Sequence, residues 1–213
     1  MPPKHKTADE RLQLRTSILD AARELFIERG IEATTMREIA KRIGYSPTSL
    51  YLHFQDKNDI LRALCDTDFL SLATNLQSIM SIPDVRQRLS VLCDGYAEFA
   101  LSHPNHYRLM FMTPQPAFDK AESKIQHGNP EQDAYAQLKF IVQDAFDGGH
   151  FRPELTNVDL IAQTLWAGIH GACSIQISKG NDNWVEWRPI AERISMMRET
   201  LMIGVMRPDQ ISR

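Results

Sequence analysis

Apolar residues recur with a helical period along almost the whole chain, and no stretch of useful length alternates in the manner of a β-strand. The first predicted helix begins at Thr7, which stands at capping-box spacing from Glu10, and it ends at Gly30. Its apolar stripe is formed by Ile18, Ala22, Leu25 and Phe26. The pattern predicts an all-α fold with about nine helices.

Two short helices follow, joined by a tight turn. The first begins at Thr35, again at capping-box spacing from Glu38, and ends at the glycine-containing turn 44–46. Pro47 then stands at the preferred first position of a helix behind a serine cap, so a third helix is predicted over 47–54. Two short helices joined by a three-residue turn form a helix-turn-helix unit.

The remaining chain is predicted to form a larger helical body. Its predicted helices run from Asp56 to Pro83, from Asp84 to the residue before Pro104, from Asn105 to Met112, from Pro130 to Gly148, from Thr156 to Gly180, and from Trp184 or Pro189 to Met206. Segment 113–129 is the one long predicted loop. We therefore expect a three-helix head over 1–60 and a bundle over 61–213.

The third predicted helix carries the side chains best suited to reading DNA. Leu50 and Phe54 are i, i+4 partners that face inward. Thr48, Ser49 and Leu52 therefore point outward. Short hydroxyl side chains can donate to or accept from base edges, and a leucine offers apolar contact to a thymine methyl group.

Neighbouring side chains suit phosphate contacts. Tyr51, His53 and Lys57 all donate hydrogen bonds without needing the geometry of a base. Thr35, with the free amides at its helix start, is a second candidate phosphate contact, and Arg37 belongs to the same candidate set. The structural alternative is that the aromatic residues belong to the core and the hydroxyls fill the first turn.

Two patterns in the body indicate a ligand cavity and a packed interface. Trp166 and His170 lie one helical turn apart and are either pocket residues or a structural anchor. Small residues at 167, 168, 171 and 172 allow another helix to approach closely. The other candidates for an adaptable apolar cavity, which could equally be plain core, are Phe69, Tyr96, Phe99, Met110, Met112 and Phe140.

Composition and charge limit the function classes. The chain of 213 residues is 43% apolar and carries a net charge of −3, so any contact with a polyanion must be local. Residues 1–60 hold ten basic against nine acidic side chains, which places that contact at the front. No phosphate-binding loop, GxSxG or HExxH motif is present, so we do not expect an enzyme.

Cysteine, histidine and terminal patterns point to a cytoplasmic protein without metal or cofactor. The cysteines at 65, 93 and 173 form no CxxC pair and are expected to be buried thiols in a reducing compartment. His103 and His106 lack further ligands at a recognised metal spacing. The start of the chain lacks the apolar core of a signal peptide. The uncharged stretch 160–178 contains too many polar residues for a membrane span.

The head closely resembles the DNA-binding domain of the tetracycline-repressor (TetR) family over about residues 12–64. The resemblance rests on Ala21-Ala22, Leu25-Phe26, Gly30, Thr34, Met36-Arg37-Glu38-Ile39-Ala40, Gly44-Tyr45-Ser46, Ser49-Leu50-Tyr51-Leu52-His53-Phe54, Lys57 and Leu61. Tyr45 stands where a small aliphatic residue is usual, and Leu52 where a larger or polar residue is common, so the base preference stays open.

The body resembles, more weakly, a branch of that family with a Trp-His-Gly signature, through segments 103–107 and 166–171. The resemblance implies a homodimer joined by the last two helices, a palindromic operator in double-stranded DNA, and a small, largely apolar effector that releases a repressor. Activation rather than repression, and a helical scaffold that has lost DNA binding, are the alternatives.

Overall fold

The structure, a computed structural model, describes residues 7–114 and 123–210. Residues 115–122, part of the predicted loop, lie outside the described residues. The predicted all-α fold is confirmed, and the single pairing of extended backbone in the described ranges is an isolated bridge between Phe151 and Met206. The helices are α1 (Ala8–Arg29), α2 (Met36–Arg42), α3 (Pro47–Tyr51), α4 (Lys57–Leu76), α5 (Val85–Ser102), α6 (Pro104–Tyr107), α7 (Ala134–Asp147), α8 (Val158–Lys179) and α9 (Ile190–Val205).

Local capping chemistry sets the helix starts that the sequence predicts best. The Glu10 amide donates to Thr7 Oγ1 at 3.2 Å, and the Thr7 amide donates to Glu10 Oε2 at 2.7 Å, which completes a capping box. Thr35 and Glu38 form the same reciprocal pair at the start of α2. Gly30 ends α1 with φ 84°, a left-handed value that glycine adopts without a Cβ clash.

Two predicted helix starts are wrong, because stronger caps lie nearby. α7 begins at Ala134 rather than Pro130, since Asp133 Oδ1 accepts hydrogen bonds from the amides of Tyr135 and Ala136. α8 is capped by Asn157 rather than by Thr156, through a 2.9 Å bond from the Leu160 amide. Asp and Asn are better N-caps than Thr because their short side chains reach the free amides readily.

Two other elements differ in extent from the prediction. α3 ends at Tyr51, three residues before the predicted end at Phe54. α4 ends at Leu76 and passes into a 3₁₀ turn over Gln77–Ser81, where the prediction continued one helix to Pro83. Residues Arg108–Met112 form a π-helical turn directly after α6.

The described chain divides into two compact units. The first contains residues 7–68, 105–114 and 123–124, and the second contains the other described residues. The predicted boundary at residue 60 does not account for segment 105–124, which joins the first unit because Tyr107 and Leu109 are fully buried and the π-helical turn packs on α1. A functional division at residue 60 stays a prediction.

Each unit has its own apolar core. In the first unit, α2 packs against α1 and α3, which fixes the outward face of α3. In the second unit, α8 packs along α9 and against α5 and α7. A Cβ built on Gly168 would lie 2.8 Å from Leu201 Cδ1, so this glycine allows the close approach of α8 and α9.

No helix in the described ranges is both long and apolar enough to cross a membrane. The same residues contain no group of three or more His, Cys, Asp or Glu side chains that could hold a metal ion.

Candidate nucleic-acid interface and ligand site

The third helix presents the face that the sequence predicts. Ser46 caps it by accepting a hydrogen bond from the Ser49 amide at 3.3 Å, and Leu50 is fully buried beneath it. Thr48 is exposed, and Leu52 is 82% exposed. Ser49 is half-buried, and its hydroxyl lies 3.0 Å from that of Ser46, so Thr48 and Leu52 are the most exposed of the three predicted base contacts.

Tyr51 and His53 flank this outer face. Tyr51 is 56% exposed. Phe54, three residues later, is buried in the first unit, and the guanidinium carbon of Arg15 lies 4.3 Å from the centroid of its ring. His53 is half-buried. The structural alternative therefore holds for Phe54 and not for Tyr51.

Thr35 has a different environment from that of a phosphate contact. Its hydroxyl and its backbone amide both donate to Glu38 Oε2, at 2.9 Å each, and these bonds lower the pKa of Glu38. A carboxylate thus occupies the start of α2, where the prediction places a phosphate. Arg37, on the same helix, is exposed.

Lys57 is engaged within the protein. Its ammonium donates to the carbonyl oxygens of Ile31 and Glu32 at 2.9 and 3.1 Å, and it lies 3.7 Å from the Glu32 carboxylate. These carbonyls belong to the turn between α1 and α2. The sequence offered Lys57 only as a phosphate contact, and the structure adds a role in holding this turn.

A buried ionic cluster in the first unit escaped the sequence analysis. Arg23 on α1 donates to both oxygens of Asp68 on α4, at 2.7 and 3.0 Å, and His106 Nδ1 lies 2.9 Å from the same carboxylate. Asp68 is 1% exposed. Three residues so far apart in sequence carry no periodic signal, although the polar Arg23 on the apolar face of α1 is a hint.

The second unit brings together three of the predicted ligand residues. Trp166 Nε1 donates to Tyr96 Oη at 3.0 Å, and Tyr96 Oη lies 3.1 Å from His170 Nδ1. Tyr135, which the sequence analysis did not select, places its ring 5.9 Å from that of Trp166.

The protonation state of this cluster follows from its geometry. Burial lowers the pKa of His170, which favours the neutral ring. Because the Tyr96 oxygen already accepts from Trp166, its own proton is available to His170 Nδ1. In this arrangement Tyr96 donates to Nδ1 when the neutral His170 ring carries its proton on Nε2.

Other predicted ligand residues lie elsewhere. Phe140 is 52% exposed on α7 in the protomer, and its contact with a ligand stays a prediction. Met110 belongs to the first unit, as does Met112. Phe99 is buried and stacks on His103 at 5.2 Å, which is core packing.

Phe69 is half-buried in the second unit, near the middle of α4.

The outer faces of α8 and α9 are unusually apolar. Met196 is 72% exposed and Ile203 is 51% exposed on α9, and Leu160 and Ile175 are exposed on α8. A Cβ at Gly171 would meet no atom within 4 Å, in contrast to Gly168.

Arg198 on α9 pairs with Asp94 on α5.

The cysteines lie in the interior of the protein. All three are buried, as predicted. Burial raises the pKa of Cys93 and of Cys173 to about 12, so neither forms a thiolate near neutral pH.

Comparisons with known proteins agree with this architecture. Residues 18–64 match the model for bacterial regulatory proteins of the tetR family, and residues 89–194 match the tetracyclin repressor-like C-terminal domain. Over 104 residues the chain is 36% identical to the HTH-type transcriptional activator FasR of Mycolicibacterium smegmatis, a match covering 48% of this chain and 46% of that protein. The aligned part of the chain thus spans about half the length of that relative.

Solved structures share the fold at low sequence identity. A TetR family transcription regulator from Marinobacter aquaeolei VT8 superposes with a TM-score of 0.71 at 20% identity, covering 94% of this chain and 99% of that one. FadR from Bacillus subtilis, solved in complex with stearoyl-CoA, gives a TM-score of 0.69 at 18% identity, covering 89% and 98%. On the helix-turn-helix geometry and the two family matches, the chain belongs to the TetR family of bacterial regulatory proteins.

Proposed function

We propose that the protein is a one-component transcriptional regulator that binds a palindromic operator as a homodimer and responds to a small, largely apolar molecule. The observation that carries DNA binding is the outer face of α3, where Thr48, Ser49 and Leu52 stand uncharged above a buried Leu50. Side chains of this size allow a helix to lie deep in the major groove. The family is one of regulators rather than enzymes, in line with the expectation from sequence.

The contacts divide by chemistry. Thr48, Ser49 and Leu52 meet base edges, because they lack charge and because Thr48 and Leu52 are exposed beside the half-buried Ser49. Tyr51, His53 and Arg37 donate to backbone phosphates, which orient the head without selecting sequence. Thr35 takes no phosphate in this proposal, since Glu38 already occupies both of its donors.

We infer a homodimer from the exposed apolar side chains on α8 and α9. Exposed apolar side chains at 160, 175, 196 and 203 would remain in water in a lone protomer. Gly171 lies on the same outer side with open space above it, so a second helix can approach there. Two heads related by a two-fold axis would then bind half-sites about 34 to 36 Å apart, or a multiple of that distance.

The effector site is centred on Tyr96, Trp166 and His170, with Phe69 as a further candidate wall. The hydrogen-bonded chain provides a polar end, and the aromatic rings provide apolar surface. FadR shows that this fold can hold a long acyl group, since it was solved with stearoyl-CoA. The sign of regulation is taken as repression relieved by the effector, although the relative FasR is named an activator.

Base reading is tested with Ser49→Ala in gel-shift titrations on the DNA flanking the gene and on single-base variants of the bound site. We expect one or two base positions to lose discrimination by about 1 to 3 kcal/mol each, because only the hydroxyl contact is removed. Ser17→Ala, an exposed serine on α1, is the matched control. Equal weakening on every sequence would contradict the assignment of Ser49 to base reading.

The dimer interface is tested with Met196→Asp and Ile203→Asp, each of which places a charge on the apolar face of α9. Light scattering should show monomers for either variant, since burying an unpaired carboxylate in an interface is costly. Leu12→Asp is the matched control, because Leu12 is exposed to a similar degree on α1 in the first unit. A dimer unaffected by both α9 variants would place the interface elsewhere.

Effector coupling is tested with stearoyl-CoA as the probe, followed through Trp166 fluorescence after Trp184 and Trp187 are replaced by phenylalanine. Thermodynamic reciprocity requires operator DNA to weaken the probe by the same factor by which the probe weakens DNA, about 5 to 150-fold in typical allosteric proteins. Equal probe affinity with and without operator would contradict coupling. Unchanged fluorescence would exclude long acyl thioesters as effectors.

A further inference from the structure

A surface cleft in the first unit shares His53 with the proposed DNA-binding face and is otherwise lined by residues to which the proposed function gives no role. It has a volume of about 290 Å³, close to the lower end of small-molecule pockets. The cleft lies next to the C-terminal end of α3, where His53 and Phe54 line it. The other lining residues are Arg15, Asp59, Arg62, Ala63, Asp66 and Lys124.

Three permanent cations converge on this cleft, from α1, from α4 and from the chain at residue 124. The guanidinium carbon of Arg15 lies 4.3 Å from the centroid of the Phe54 ring, a cation–π contact that holds this side chain at the cleft. No carboxylate of the described residues lies within ion-pair distance of Arg15 or of the Lys124 ammonium. These two cations can therefore take an external anion without breaking an internal ion pair.

The two carboxylates of the cleft already accept hydrogen bonds from the protein. Asp66 accepts from the Ser123 hydroxyl at 2.6 Å and from the Lys124 amide at 2.9 Å. Asp59 accepts from the Gln55 amide at 3.0 Å and faces Arg62 at 3.8 Å. These hydrogen bonds and the nearby Arg62 guanidinium partly compensate the negative charge of the two carboxylates, so the cleft favours an anion.

We propose that this cleft binds a phosphate-bearing small molecule. The planar guanidinium of Arg15 offers paired N–H donors that match two phosphate oxygens, and Lys124, which also lines the cleft, adds a point charge. The bound anion touches His53, which the regulatory proposal assigns to an operator phosphate. Binding of the anion in the cleft therefore lowers the affinity of the head for DNA. The DNA-binding head is then regulated by a site separate from the effector site of the second unit.

The test uses inorganic pyrophosphate as the probe, titrated by calorimetry into the full-length protein without DNA, at an ionic strength fixed with sodium chloride. We expect saturable binding at one site per protomer. Arg15→Gln and Lys124→Gln should each weaken it about tenfold or more, because each removes a charge-assisted contact. Arg11→Gln is the matched control, since Arg11 is exposed one turn earlier on α1 and does not line the cleft.

The outcomes separate this proposal from DNA binding itself. Circular dichroism and urea unfolding establish that each variant is folded. Lys124→Gln leaves the Arg15–Phe54 contact intact, so its effect on pyrophosphate binding does not depend on that contact. Pyrophosphate binding that is no tighter than that of chloride, or that is equal in Arg15→Gln and Arg11→Gln, overturns the proposal. Loss of operator affinity in Arg15→Gln without any pyrophosphate binding assigns these cations to the DNA backbone and also overturns it.

Discussion

Replacing Lys57 by methionine separates a structural role from a DNA-binding role. The substitution keeps most of the aliphatic stem and removes the ammonium that donates to the Ile31 and Glu32 carbonyls. These carbonyls lie in the turn that follows α1 and precedes the cap of α2. The orientation of the helix-turn-helix unit therefore depends in part on this one charge.

The size of the effect follows from the local geometry. A hydrogen bond to a charged group contributes about 1.5 to 3 kcal/mol where solvent is excluded. The Lys57 side chain is 25% exposed, the Ile31 oxygen also accepts from the Thr34 amide at 3.2 Å, and Glu32 is exposed to water, so both carbonyls keep a partner when the ammonium is removed. The exposed Glu32 carboxylate adds little. We therefore expect a loss of about 2 kcal/mol for Lys57→Met, less than the roughly 3 to 6 kcal/mol of two such bonds shielded from solvent.

Two assays on Lys57→Met distinguish the structural role of the ammonium from a role in DNA binding. Urea unfolding reports the free energy of unfolding, and operator titration over a range of salt reports the number of phosphate contacts. Lys41→Met, an exposed lysine on α2, should stay within about 0.5 kcal/mol of the parent. If Lys57→Met kept full stability and lost about one unit of salt slope, the ammonium would serve phosphate alone and the structural reasoning would be refuted.

Three further outcomes are expected. Arg23→Met should cost about 3 to 5 kcal/mol in urea unfolding, because it leaves the Asp68 carboxylate buried without its guanidinium; a loss below about 1 kcal/mol would contradict this. Burial lowers the pKa of His170, so the unfolded chain protonates this imidazole at a higher pH than the folded protein does. The free energy of unfolding should therefore fall as the pH drops below about 6.5. His170→Gln should remove this contribution to the pH dependence of stability. Gly168→Leu should destabilise the folded protomer through its contact with α9, whereas Gly171→Leu should act on the dimer in light scattering and leave the protomer stable.

Short-range chemistry was predictable from the sequence. Capping boxes at Thr7 and Thr35, the serine cap before Pro47 and the glycine that ends α1 all depend on residues within a few positions of one another. The outward face of α3 also followed, because burial of Leu50 fixes the rotation of a short helix. These are the features in which local propensity and tertiary packing agree.

Contacts between distant residues were not predictable in the same way. Phe140 lies on the outside because packing against α5 and α8, rather than the composition of α7, decides which side of that helix is buried. The bonds from Lys57 to the turn after α1 and from His106 to Asp68 join positions that no helical period relates. Lys57 was predicted as a ligand for an external phosphate because a sequence does not reveal an internal acceptor.

The first unit is discontinuous in the chain, and this has a consequence for biosynthesis. Tyr107 and Leu109 fill its interior, yet they are translated only after α5, which belongs to the second unit. A nascent chain that ends near Asp68 therefore exposes apolar surface that its own residues cannot cover, and the head matures only after some forty further residues have left the ribosome, roughly two to eight seconds at bacterial elongation rates. An excised head would carry the same defect permanently.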